Sequence, residues 1–286
     1  MSACRANPAL DRVPSADDRP VFSRALAAGR ASLLGYPTEP GQPARSGPRT
    51  GVALSEPSAV IDVTIAAPVA QVWSALRERD QIRNWHGWVF DGLDQEIDFI
   101  YHQHALADDT HHLLRLAGQA PGDFATGDRF ELTEVPGGTR LQIVRGPRPP
   151  ATQERAGYYD DVTEGWTIFA QQLRFALERQ PGRARRTVFV SAGELGPEPL
   201  ATAVGTAGAE PAPFGTPGLP FFADHDRVGA EVPALGPGLV ITAAGTGKEL
   251  LVVSTYGLDD DGFASIVDRV QAFWSHRHPA AAPPGV

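Results

Sequence analysis

His102, His104, His111 and His112 form the densest group of ligand-type side chains in the chain. Read as a strand, this segment sets His102 and His104 on one face. A turn at Asp108-Asp109 then brings His111 or His112 within reach, a geometry suited to zinc or another transition metal. The spacing matches no established metal motif, so no metal is expected, and the reading is a polar strand face ending in a hairpin tip. A single inward-facing histidine, tuned by burial, would instead serve proton transfer. Gly245-Thr246-Gly247-Lys248 looks like the end of a phosphate loop. However, Thr242 stands where the first glycine belongs, and Glu249 where Ser or Thr would bind magnesium, so it reads as a hairpin turn. The sequence contains no nucleophile elbow, dinucleotide glycine fingerprint or His-Glu-x-x-His helix, and no cofactor is expected.

The elements that must position any such chemistry are organised around Asp160 to Gln180. Asp161 reads as an N-cap, and Glu164 completes an Asp-x-x-Glu capping box. Val162, Trp166, Phe169, Leu173 and Leu177 then form one apolar stripe, and Pro181-Gly182 ends the helix. A helix of about 20 residues is about 30 Å long, enough to cross a small sheet. Upstream, residues 60–65 alternate as a strand and Pro68 opens a helix striped by Val69, Val72, Trp73 and Leu76. A further helical turn, 81–85, leads to Trp85-His86-Gly87-Trp88. Strand-like runs follow at about 95–105, 112–116, 129–135 and 140–144, with Pro136-Gly137-Gly138 as a hairpin signal. This order predicts an α+β architecture.

Beyond Pro181 the plan recurs in shorter form. Residues 185–193 read as a strand, 198–205 as a weak helix, 239–245 and 249–257 as paired strands, and 261–276 as a closing helix. The Pro/Gly-rich stretch 205–220 replaces strands that a complete copy would need. The expected organisation is therefore a tail at 1–57, an α+β domain at 58–181, a smaller degenerate repeat at 182–278, and a short tail at 279–286.

Composition narrows the function classes. The 286 residues are 42% hydrophobic and 21% charged, as in an ordinary globular protein. A net charge of −9 excludes a nucleic-acid surface, and the Arg183, Arg185 and Arg186 cluster reads as a solvated helix end. A single cysteine, Cys4, excludes an internal disulfide framework. No apolar run approaches the roughly 18 residues of a membrane span, and the N-terminus lacks a signal-peptide core; a cytoplasmic location is expected.

The strand followed by Ile65 to Leu76, the Trp85 and Gly87 pair, the Gly127 to Leu132 and Pro136 to Val144 hairpin, and the Glu164 to Leu177 helix resemble the SRPBCC superfamily. This START-like, birch-pollen-allergen-like superfamily includes homologues of the C-terminal domain of the heat-shock-protein-90 ATPase activator, the branch most resembled. The resemblance covers residues 59 to 180. It implies a helix-grip fold, a sheet wrapped around a long helix, with a mostly apolar cavity between them.

In such a cavity the ligand-facing residues would be Trp85, Trp88, Phe99, Tyr101, Phe130, Trp166, Phe169 and Leu173, and the Trp85 to Trp88 segment would form the mouth. For each aromatic the competing reading is ordinary core packing. The favoured function is binding of a hydrophobic small molecule, an aromatic metabolite or lipid. One alternative is a cofactor-independent, polyketide cyclase-like enzyme with Tyr101, His104, Arg115 or Glu164 steering or protonating an enolate. The other is an interaction module for a chaperone or other protein partner, which a filled core and an apolar surface patch would favour.

Overall fold

The computed structural model describes residues 59–116, 127–147, 153–196, 199–200, 214, 217–224, 226–244 and 248–280. The expected tail at 1–57, the weak helix beyond Leu200 and the turn at 245–247 lie outside them. The described chain begins with β1 (Val60–Ile65), in which Ile61, Val63 and Ile65 are buried while Val60, Asp62 and Thr64 face out. Helix α1 (Val69–Arg77) follows Pro68, and the short α2 (Arg79–Ile82) leads to the Trp85 segment.

Next comes α3 (Leu93–Ile97), which runs on as a π-helical turn, Asp98–Gln103. The strand expected at 95–105 is therefore helical. Leu93, Glu96, Ile97 and Tyr101 are the buried positions, a helical stripe with spacings of three and four. The alternation of Ile97, Phe99 and Tyr101 imitated a strand, but Glu96 is buried beside Leu93 and Ile97 while Phe99 is only half-buried, the i, i+3, i+4 pattern of a helix.

The meander β2 (Ala105–Asp108), β3 (Leu113–Leu116), β4 (Arg129–Val135) and β5 (Gly138–Val144) completes the first sheet, with order β1-β5-β4-β3-β2. The β4–β5 loop is Pro136-Gly137, with Gly137 at φ +86°, the left-handed position that a Pro-Gly turn reserves for glycine. Helix α4 (Gln153–Arg179) then crosses the sheet. It starts eight residues before the expected Asp161 cap. Asp161 and Glu164 instead lie within the helix and pair with Lys248 and Arg227, which satisfies their charges without a capping role.

The second sheet comprises β6 (Arg185–Ala192), β7 (Leu219–Asp224), β8 (Arg227–Glu231), β9 (Gly238–Ala243) and β10 (Glu249–Tyr256), in the order β6-β10-β9-β8-β7. That is the order of the first sheet, strand for strand. It has five strands although the 205–220 stretch read as strand-poor. Pro220 is tolerated because β7 is an edge strand with a register shift at Pro220/Phe222. Helix α5 (Asp260–Arg277), capped by Asp259, closes the half. The protein is thus α+β, with two sheets each crossed by a long following helix in the helix-grip plan.

Helix α4 serves both sheets. Toward the first, Trp166 meets Phe130 edge-on at 5.1 Å. Toward the second, Phe175 meets Phe221 at 5.1 Å and Tyr256 at 5.9 Å, and the Ser254 hydroxyl donates to Gln172 Oε1 at 2.8 Å. This explains why α4 is buried on opposite sides where an ordinary surface helix shows one apolar stripe.

Candidate functional site

The first half encloses a chain of polar groups. Glu96 on α3 places Oε1 at 3.0 Å from Nε2 of His86, and His86 Nδ1 lies 2.9 Å from the Tyr101 hydroxyl. When Glu96 is ionised it can only accept, so Nε2 carries the proton and Nδ1 accepts from Tyr101. Protonation of His86 reverses the second bond and frees the phenol to donate elsewhere. Burial pushes the Tyr101 hydroxyl well above its ordinary range, and the charge of Glu96 adds to that rise. Tyr101 sits on the π-helical turn, a form of helix frequent at functional sites.

The surroundings of this chain are aromatic. The His86 ring lies 5.8 Å from Trp85, 5.2 Å from Tyr101, 5.9 Å from Trp166 and 5.0 Å from Phe169. Phe130 and Leu173 complete the enclosure, both fully buried. A second polar knot lies behind it. Asp128 accepts from Arg145 Nε at 3.0 Å, from Gly146 N at 2.8 Å and from Trp166 Nε1 at 3.1 Å. Among the described residues, these side chains are buried and pack on one another between the first sheet and α4.

The segment joining α2 to α3 connects the two halves. Gln172 Nε2 donates to the carbonyls of Trp85 and Gly87 at 3.0 and 3.3 Å. Alternate residues of β6 then engage the segment: Arg185 donates to the carbonyls of His86 and Gly87, Thr187 Oγ1 accepts from Val89 N, and Phe189 stacks on Trp88 at 3.9 Å. Gly87 and Gly92, at φ +57° and +117°, bound the segment with conformations that other residues rarely adopt. Beside it opens a cleft of about 670 Å³, lined by residues of 80–95 and 182–186.

Of the sequence candidates, Trp85, Tyr101, Phe130, Trp166, Phe169 and Leu173 are brought together in the enclosure, and Trp88 lies at its edge, 6.3 Å from Phe169. Phe99 and His104 pack on each other at 4.5 Å, half-buried. Arg115 is on the exposed face of β3, and Glu164 is turned toward Arg227. These two do not join the site. The four histidines separate because the expected strand is helical: His102 and His104 end the π turn, His111 binds Asp108 at 2.8 Å, and His112 meets Trp73 at 5.6 Å. Burial, with a contribution from Arg79, lowers the His102 pKa.

Sequence reasoning missed Glu96, which appeared to be on a strand, and gave His86 no role. Arg185, expected to be solvated, is only 6% exposed. The four-residue spacing of Leu93, Ile97 and Tyr101 fits a strand face as well as a helical one, and only the helix puts Glu96 on the same face.

No protein-family model matches the sequence, and no curated protein matches it. Among solved structures, it is similar to DynU16, a protein in the dynemicin biosynthetic locus, at 19% identity with 77% of this chain and 96% of that chain covered, TM-score 0.30. It is similar to the di-domain ARO/CYC BexL from the BE-7585A biosynthetic pathway, at 12% identity covering 78% and 95%, TM-score 0.32. The Aha1 dimer protein from Colwellia psychrerythraea matches 43% of the chain over 99% of its own, at 18% identity and TM-score 0.30. Scores this low carry no argument; the fold rests on strand order and helix placement. Among the described residues, no helix is long and apolar enough to cross a membrane.

Proposed function

We propose that the chain binds a small aromatic or other apolar molecule in the first half, within residues 58–181, with Tyr101 as the group that orients it. The observation that carries this reading is the Glu96–His86–Tyr101 chain, a carboxylate, an imidazole and a phenol in line inside an aromatic enclosure. An aromatic lining with a few convergent polar groups is what small-molecule sites require. A ligand carbonyl would accept from Tyr101 when His86 is protonated, and proton transfer to a bound enolate is the enzymatic form of the same reading. Entry requires side chains to move, and the Gly87 to Gly92 segment, with half-buried Trp88, Val89 and Phe90, is the part able to do so.

The close packing of these buried aromatics favours a second reading, an interaction module with a protein partner. Native mass spectrometry of the purified protein, followed by denaturing extraction, separates the two. A discrete apolar adduct, bound about tenfold more weakly by Tyr101→Phe, is expected for loss of one hydrogen bond. A clean apo mass, with no binding of aromatic ketones, overturns the ligand reading and leaves the interaction module.

A further inference from the structure

Among the described residues, Arg185 is a buried cation with no carboxylate paired to it. Its Nη2 donates to the carbonyls of His86 at 2.6 Å and Gly87 at 3.1 Å, while Nε and Nη1 have no acceptor among the described residues. The other deeply placed arginines differ: Arg145 holds Asp128 at 2.9 Å and Arg277 holds Glu249 at 2.7 Å. A guanidinium withdrawn from water is strongly disfavoured unless an anion offsets it. Burial brings the Arg185 pKa down to about 10, so the charge persists at neutral pH. Arg185 is also part of the wall of the 670 Å³ cleft, a volume within the range of small-ligand sites.

The remaining wall defines what the anion is attached to. Val89, Phe90 and Leu93 supply apolar surface, whereas Arg83 and Arg186 are already paired with Asp94 and Asp260. Asp80 and Asp91 on the same wall oppose a multiply charged group such as a phosphate more than a singly charged one. We infer that this cleft binds a small monocarboxylic acid with an apolar body, its carboxylate reaching the Nε and Nη1 donors of Arg185 once the side chains that now cover them turn aside. This goes beyond the Tyr101 reading and stands or falls without it, because the cleft and the enclosure use different side chains.

The test is calorimetric titration of the full chain with benzoate and 1-naphthoate, each against its primary amide, and with 1-naphthyl phosphate. The acids are expected to bind about 10- to 100-fold more tightly than the amides, the range for hydrogen bonds to a charged group, and more tightly than the phosphate. Arg185→Gln should remove the difference between acid and amide. Should that variant fail to fold, Phe90→Ala, at a half-buried wall position, should weaken 1-naphthoate by about tenfold while the fold persists. Acid and amide binding equally, or neither acid binding, overturns the proposal; tighter binding of the phosphate overturns the monocarboxylate assignment.

Discussion

The two halves share a strand order and a closing helix, yet their interiors are built from different chemistry. The second closes on Val188, Val190, Leu251 and Val253 from the sheet and Phe263, Ile266, Val270 and Trp274 from α5. Its buried charges, Glu249 with Arg277 and His278, sit where β10 begins and α5 ends. The first places His86, Glu96, Tyr101, Asp128 and Arg145 inside. In the second half the core between the sheet and α5 is apolar, and the buried charges, Arg185 included, lie at the ends of β6, β10 and α5. The polar chain of the first half is therefore not a requirement of the fold, and the desolvation it incurs points to function.

The largest expected effect tests whether α4 makes the halves one unit. Trp166→Ala should destabilise by about 3 to 5 kcal/mol, since the indole is buried against Phe130 and donates to Asp128. Because α4 contacts both sheets, urea unfolding followed by hydrogen exchange should show β10 and β5 losing protection together. Separate transitions would make the halves independent and end the shared-helix account. Next, Asp128→Asn should lower stability by about 3 kcal/mol by leaving Arg145 buried without its counter-ion. Replacing both residues with apolar ones should restore much of that loss. A double variant as unstable as the single one would mean that the knot specifies the first half's fold, contrary to the comparison.

What could be read in advance divides along the same line. Strands with one wet face were legible: Ile61, Val63 and Ile65 alternate because only one face of β1 is buried. The Pro136-Gly137 turn followed from proline and glycine backbone preferences alone. The start of α4 was not legible, since Asp161 and Glu164 look like a capping box locally, and only Lys248 and Arg227, distant in sequence, reveal their role. Edge strand β7 was obscured by Pro220, and β8 by Gly229, whose missing Cβ makes room for the Phe222 ring. Of the residues that the enclosure brings together, Trp166, Phe169 and Leu173 followed from the α4 stripe, whereas Tyr101 was placed on a strand that is in fact helical. Arg185 was not identifiable, because nothing local in Arg183-Ala184-Arg185 distinguishes a solvated charge from one facing another half.

A smaller effect concerns the joint between the halves. Ser254→Ala removes the donor to Gln172 Oε1 and leaves that oxygen buried, with an expected loss of about 1 to 2 kcal/mol. The Gln172 contacts to Trp85 and Gly87 should then loosen, read as faster hydrogen exchange across residues 85–92. Unchanged exchange there would show that β10 does not hold the segment through α4.

The smallest effect bears directly on how dry the first interior is. An unfolded tyrosine releases its proton near pH 10, whereas folded Tyr101 retains it, chiefly through burial. Above pH 10 the unfolded state binds fewer protons than the folded one, so stability falls as pH rises. A single group held this way loses about 0.8 kcal/mol by pH 10.5. Tyr256, pushed up to about 12 by burial against the partly opposing charge of Arg185, contributes a slope of the same sign. Tyr101→Phe should therefore make the decline between pH 9 and 10.5 shallower by about 0.8 kcal/mol without abolishing it. Urea midpoints at the two pH values measure this. An unaltered decline would mean that Tyr101 meets water readily, so that the enclosure opens without a ligand and the contrast between a dry polar interior and a dry apolar one no longer separates the two halves.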